Sequence, residues 1–404
     1  MLWSLLYITL LPYVDVLWSN VGKTHKSLEI GQLLSLAFTV ALCLFWTVII
    51  AFCASLSSIE GLRSVDFIDK ALNKTPFLVP LLAQLAPFIV VGVNAALRSI
   101  LGFLASLELP ISVAMLEAST LTKMAWFMII QNFFVASIGG ASIKAYSEFT
   151  DITKVATLLG TSLPSQSTFH IQILLVNVFL SIGLELLGVS RIAIATIRKY
   201  VGPNLNEKER RSTWMGLAPM NNPAPFTHSL YQAWNVLYFQ VIMVYSTIAP
   251  LSAFLMGLCF MIMWMGYRYL FVYVYSPTPD SGGRMYFTVL NICLFQMIIS
   301  ELTVLVLLGI KGSPLGSTLM IPLVVITMLF NIYVKKQHFA TAEILPGDKC
   351  LKVEMEHAQD GEDFDIDYLL KDAYKHPDLK AANEKKEAEA VEGHPGDDEV
   401  VQKC

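Results

Sequence analysis

One carboxylate stands deep inside an apolar run. Glu185 lies near the middle of a stretch from about 169 to 197, within Ser181-Ile182-Gly183-Leu184-Glu185, and the same run carries Gln172 and Asn177. An ionisable group at bilayer depth costs about 2.5–3.5 kcal/mol on insertion scales, so it requires a partner or a water-filled path. Other apolar runs supply further polar groups: Gln84 and Asn94, Gln131 and Asn132, Tyr245, and Glu301, the last placed toward the end of its run, where it can reach the membrane interface. If Asn177, Asn132, Gln131, Gln84 and Tyr245 converge on Glu185, they form a polar conduit with one fixed negative charge, which favours cations. For the Asn and Gln residues taken singly, interhelical hydrogen bonding is the competing reading. Gly183 and Gly188 flank Glu185 and weaken the helix there by roughly 1 kcal/mol each relative to Ala, which marks a candidate gating hinge.

Catalytic and metal-binding constellations do not emerge. The seven His residues have no partner at a metal-ligand interval, and neither an H-E-x-x-H nor a Walker pattern is present. The six Cys residues form no C-x-x-C pair. The acidic cluster Asp360, Glu362, Asp363, Asp365, Asp367 lacks the central Gly and twelfth-position Glu of an EF-hand. The expectation is therefore a protein that is not an enzyme, with no cofactor, no resident metal and no nucleic-acid partner.

The elements that hold these residues follow from composition. Of 404 residues 55% are hydrophobic and only 15% charged. Residues 345–404 carry net −9 and the remainder net +5, so an acidic tail is appended to a charge-poor, apolar body. That excludes a soluble enzyme with one globular core and a disulfide-built secreted domain. The fold class expected is all-α: a polytopic membrane helix bundle of about eight transmembrane helices with a disordered acidic C-terminal tail. A bilayer core needs roughly 20 apolar residues per helix, and such runs fall at about 31–57, 77–107, 122–144, 169–197, 232–253, 255–275, 286–309 and 318–334. The fifth and sixth are nearly continuous and must form a hairpin, with its turn expected near Leu255 to Cys259. Residues 1–30 form an N-terminal cytosolic or interfacial segment, 31–340 the transmembrane domain, and 341–404 the tail, mostly disordered with one short helix near 378–391. With both termini in the cytosol, twelve Lys or Arg fall in inner loops against six in outer loops, as the positive-inside rule asks. Arg98 and Arg268 then lie where they can snorkel to the inner interface. The sequon Asn73-Lys74-Thr75 falls outside.

Five motifs in sequence order carry a family resemblance: S-L-S-S-I-E-G-L at 55–62, L-G-T-S-L-P-S-Q-S-T-F-H at 159–170, G-L-E-L at 183–186, Y-S-T-I-A-P-L at 245–251 and V-Y-S-P-T-P-D-S-G-G-R-M-Y-F at 274–287, preceded by D-V-L-W-S-N at 15–20. Together they resemble the C-terminal membrane region of the hyperosmolality-gated, calcium-permeable channels, also called calcium-permeable stress-gated cation channels. The resemblance implies an anoctamin-like bundle, a homodimer in the plasma membrane, contact with membrane lipids, and a mechanosensitive or osmosensitive, non-selective pathway for Ca²⁺ and monovalent cations. It places Glu185 at an acidic position of a pore helix. The alternatives are a phospholipid scramblase of related fold and a truncated, non-conducting subunit.

Overall fold

The computed structural model describes residues 15–56, 78–139, 162–201, 226–276 and 283–339, with 347, 351–352 and 355–356 of the tail. The segment 1–14, the sequon, the cluster at 360–367 and the expected helix at 378–391 lie outside the described residues.

The described chain is helical, with a single isolated bridge between Val16 and Ser112. Helix α1 spans His25–Leu56 and α2 Leu78–Ser106. Helix α3 starts as Val113–Phe127, widens into a π-helical stretch over Met128–Val135 and closes with Ala136–Gly139. Helices α4 (Ser167–Leu186) and α5 (Val189–Val201) follow, then α6 (His228–Ile248), α7 (Leu251–Tyr273), α8 (Arg284–Ile310) and α9 (Pro314–Val334). Seven of the helical segments are long and apolar enough to cross a bilayer. The eighth long helix, α6, has 21 residues and is more polar because it is the central one. It packs against α3, α4, α7 and α8 and buries ten residues, Tyr238, Gln240 and Tyr245 among them. A helix shielded by its neighbours does not need an all-apolar surface; the outer helices do. α1 presents Leu33, Leu36, Phe38 and Leu44 outward, and α9, which packs on α8, presents Leu315, Leu319 and Ile326.

Hydrogen bonds register the helices at one end, called basal below. Ser35 of α1 donates to the Leu104 carbonyl of α2 (2.7 Å). Where α1 passes the end of α2, a Cβ on Gly31 would sit 2.2 Å from the Leu107 carbonyl oxygen, so only glycine permits this crossing. Ser112 caps α3 by accepting from Met115 N (3.1 Å), and Asp15, buried, accepts from Ala114 N (3.1 Å). Those two acceptors satisfy donors that a helix N-terminus leaves free. They explain why α3 begins at Val113, nine residues before the run expected from 122. Lys123, one of the twelve cations counted to the inner loops, is therefore inside a helix, held by Glu108 and Ser119.

Two other expected boundaries move. The α6–α7 turn lies at Ala249–Pro250, not between Leu255 and Cys259, which are helical. Pro250 lacks the amide hydrogen needed to continue α6 and pushes Ala249 out of the α region (φ −137°, ψ 83°). The expected single helix over 169–197 is two, because Gly188 takes φ +62° after Leu187 and ends α4. The second piece, α5, carries Arg191, Arg198 and Lys199 on one side and exposed Ile192, Ile194 and Ile197, the pattern of a helix lying at a membrane surface.

Candidate functional site

On α4, Asn177, Ser181 and Glu185 are four residues apart and share one helical face. That face, with α2, α6 and α7, encloses a cavity of about 250 Å³ in the basal half of the bundle. Gly92 leaves the α2 wall open, with nothing within 4 Å of where its Cβ would be. Opposite the polar face stand aromatic rings: Phe226 ahead of α6, Tyr231, Trp234 and Tyr238 on α6, and Tyr267 on α7. Asn177 donates from Nδ2 to the Tyr238 hydroxyl, Ser181 donates to the Asn177 carbonyl (2.6 Å), and Tyr275 donates its hydroxyl to Glu185 Oε2.

Glu185 is not in the middle of a long helix. It is the second-last residue of α4, one turn short of the Gly188 break. A carboxylate at a helix C-terminus faces the negative end of the macrodipole. The chain compensates by folding Arg191 of α5 back over the turn, its guanidinium 3.8 Å from where a Gly188 Cβ would stand. Anion and cation thus flank a left-handed residue at the end of α4.

A second polar cluster ties the helix ends beneath it. Arg98 of α2 donates to Glu117 Oε1 (2.8 Å), and Glu117 Oε2 accepts from the Ser229 amide at the start of α6 (3.1 Å). One carboxylate therefore joins three helices, and Arg98 is ion-paired rather than free to snorkel.

With this geometry in hand, a comparison with family models matches residues 31–308 to the family described as calcium-dependent channel, 7TM region. The chain belongs to that family. Among curated relatives, this channel-family chain is 23% identical over 366 residues to hyperosmolality-gated Ca²⁺ permeable channel 1.8 of Arabidopsis thaliana, covering 90% of the chain and 44% of the relative. Channel 1.7 of the same plant is 23% identical over 91% of the chain and 46% of its own length, and channel 1.3 is 24% identical over 91% and 47%. The chain spans about half the length of these relatives. The α4 face, the cavity walls and the α2–α3–α6 tie all fall within the region matched to the calcium-dependent channel family.

Of the residues singled out in the sequence, Glu185 and Asn177 meet in the cavity. Gln131 and Asn132 sit in the π-helical stretch of α3, away from it. Gln131 Nε2 donates to the Cys43 carbonyl (2.7 Å) and to Thr47 Oγ1 (2.9 Å) of α1. Asn132 is fully buried, and its amide finds no partner among the described residues. Tyr245 is buried near the opposite end of α4, where its hydroxyl donates to the Leu163 carbonyl (3.1 Å). The Gln84 side chain lies outside the described residues. Gly183 has open space beside it, and Gly188 is the backbone break itself. Glu301 turns toward α9: it accepts from Thr327 (2.7 Å), and its other oxygen is buried without a partner among the described residues. Sequence reasoning passed over Ser181, Tyr238, Tyr267 and Tyr275, although the spacing of four from Asn177 through Ser181 to Glu185 signals the first.

Proposed function

We propose that the chain forms the conducting membrane region of a calcium-permeable, non-selective cation channel opened by osmotic or mechanical stress. The observation that carries this is Glu185: a carboxylate at a backbone break, on the wall of a cavity shared by α2, α4, α6 and α7. Its negative charge, aided by the Asn177 and Ser181 dipoles, draws cations toward the cavity and disfavours anions. The names of the relatives support calcium permeation and gating by hyperosmolality. Membrane stretch does work on any change of in-plane area, so a helix interrupted at Gly188 and continued by the amphipathic α5 supplies two arrangements that tension can bias. In this reading the basal end faces the cytosol, both termini lie there, and the assembly is a homodimer in the plasma membrane.

The test is stretch- and hyperosmolality-evoked current in patches from cells expressing the chain. Glu185→Gln keeps side-chain volume and hydrogen bonding and removes the charge. Reversal potentials in asymmetric salt are expected to move toward the anion equilibrium potential, with surface expression unchanged. An unaltered reversal potential removes Glu185 from the pathway. Absence of stimulated current from correctly inserted chain overturns the channel reading.

A further inference from the structure

The cavity walls let a hydrated cation pass but are not built to hold a resident, dehydrated divalent ion. Ca²⁺ takes six to eight oxygen ligands, drawn mainly from carboxylates, carbonyls and water, whereas this cavity offers one carboxylate and one amide; its other polar groups are the neutral hydroxyls of Ser181, Thr227, Tyr231, Tyr238 and Tyr267, and the larger part of its wall is aliphatic and aromatic. The rings have a definite arrangement. Tyr231 and Tyr267 stand with centroids 4.5 Å apart at 60°, Phe226 and Tyr231 5.5 Å apart at 61°, and Phe226 and Tyr267 6.0 Å apart at 75°. Three rings steeply inclined to one another form the corner of a box. A second layer stiffens it, with Phe271 4.6 Å and Tyr275 5.1 Å from Phe226. The same Tyr275 orients Glu185, so the carboxylate is positioned by the layer that supports the corner.

An aromatic corner that shares a cavity with a single carboxylate matches a cation that carries no N–H donors. A quaternary ammonium group is weakly hydrated, is attracted by the negative faces of aromatic rings and needs a counter-charge but no coordinating oxygens. We propose that the cavity binds a quaternary ammonium group between the Phe226–Tyr231–Tyr267 corner and Glu185. Two carriers share this chemistry: the choline headgroup of a lipid and a free quaternary amine. Leu184 both lines the cavity and is 40% exposed on the bundle surface, so only a thin wall separates the site from the surrounding lipid. The inference goes beyond conduction: it concerns occupancy of the cavity that the proposed function uses, and binding is read without current.

The full chain, purified in maltoside micelles, is titrated with tetramethylammonium chloride, and binding is followed by saturation transfer to the ligand methyl protons. Saturable binding is expected that sodium at equal ionic strength does not displace. Tyr267→Leu and Tyr231→Leu each remove a ring while keeping apolar bulk, and each is expected to weaken binding roughly ten-fold. Tyr267→Phe keeps the ring and stays within about two-fold of the original chain. Adding phosphatidylcholine to the micelles lowers the apparent affinity several-fold, relative to phosphatidylglycerol, if lipid headgroups occupy the site; equal affinity in both assigns it to free amines. Non-saturable binding, or full affinity in the Leu variants, overturns the proposal. Loss of binding with stimulated current intact refutes the ammonium site alone, and loss of current with binding intact refutes conduction alone.

Discussion

Breaking the three-helix tie at Glu117 provides a quantitative test of the basal architecture. Arg98 and Glu117 are 2.8 Å apart with side chains 28% and 23% exposed, so neither is fully desolvated. A charge-assisted hydrogen bond contributes about 1.5–3 kcal/mol when buried, and exposed pairs give about 0.2–1 kcal/mol. The partial exposure of this pair places its coupling at about 1–2 kcal/mol. Glu117 has a second role, because its other oxygen accepts from the Ser229 amide and sets a negative charge at the positive end of α6. That end effect adds about 0.3–1 kcal/mol and does not depend on Arg98. The expected pattern in a double-mutant cycle is thus asymmetric. Arg98→Leu alone, Glu117→Leu alone and the double variant are compared by reversible unfolding in mixed micelles. The coupling energy should be about 1–2 kcal/mol. Glu117→Leu made in the Arg98→Leu background should still cost about 0.3–1 kcal/mol for the lost α6 contact. Additivity within about 0.3 kcal/mol would show that the pair is decorative. No residual cost in the Arg98→Leu background would show that the α6 contact is.

Further perturbations test individual elements. Gly188→Ala forces a side chain into the left-handed region and should cost about 1–2 kcal/mol, measurable in the same unfolding assay, with Gly188→Asn milder. Gly183→Ala meets nothing within 4 Å and should instead stabilise α4 by about 1 kcal/mol; a shifted pressure threshold in patches would show that gating uses its backbone freedom, and an unchanged one would exclude it as a hinge. Gly31→Ala drives a methyl into the Leu107 carbonyl and should cost about 1–3 kcal/mol, whereas Gly257→Ala, in open space, should be neutral or stabilising when unfolding is measured. Thr327→Val removes the donor to Glu301 and should destabilise by about 1–3 kcal/mol, while Thr327→Ser should restore most of that.

Helices were legible in the sequence because lipid demands an apolar run of fixed length, and each long described helix coincides with one. Their ends were less legible, for reasons that differ from case to case. The start of α3 has a local signal in the Ser112 cap, which was passed over, and a second support in Asp15, far away in the chain, which no local pattern reveals. The α6–α7 turn was readable from Pro250, which disfavours helix at the residue before it, whereas the expected turn at Leu255 to Cys259 centres on Gly257, which the helix tolerates. The polar face of α4 is visible as a spacing of four. The aromatic corner is not, since Tyr231, Trp234 and Tyr267 at helical spacing read as ordinary packing. Gln131 and Asn132 mislead differently: in a π-helical stretch the 3.6-residue periodicity that assigns a helix face no longer applies. The partnership of Glu117 with Arg98 was hidden because residues 107–122 read as a loop.

The widened stretch of α3 also affects how residues are matched between relatives. A π turn amounts to one extra residue within an α-helix, so a relative whose helix runs straight through this region is one residue shorter between Met128 and Val135. At 23% identity a sequence alignment has little to fix where such a gap falls. Each misplaced step turns every equivalence beyond it by about 100° around the helix axis. Ser137, whose hydroxyl lies 2.9 Å from His170 Nε2, would then be equated with a residue on another face. Transfer of roles along this helix has to be counted from Gly139 backward as well as from Val113 forward, with the two counts meeting at the bulge.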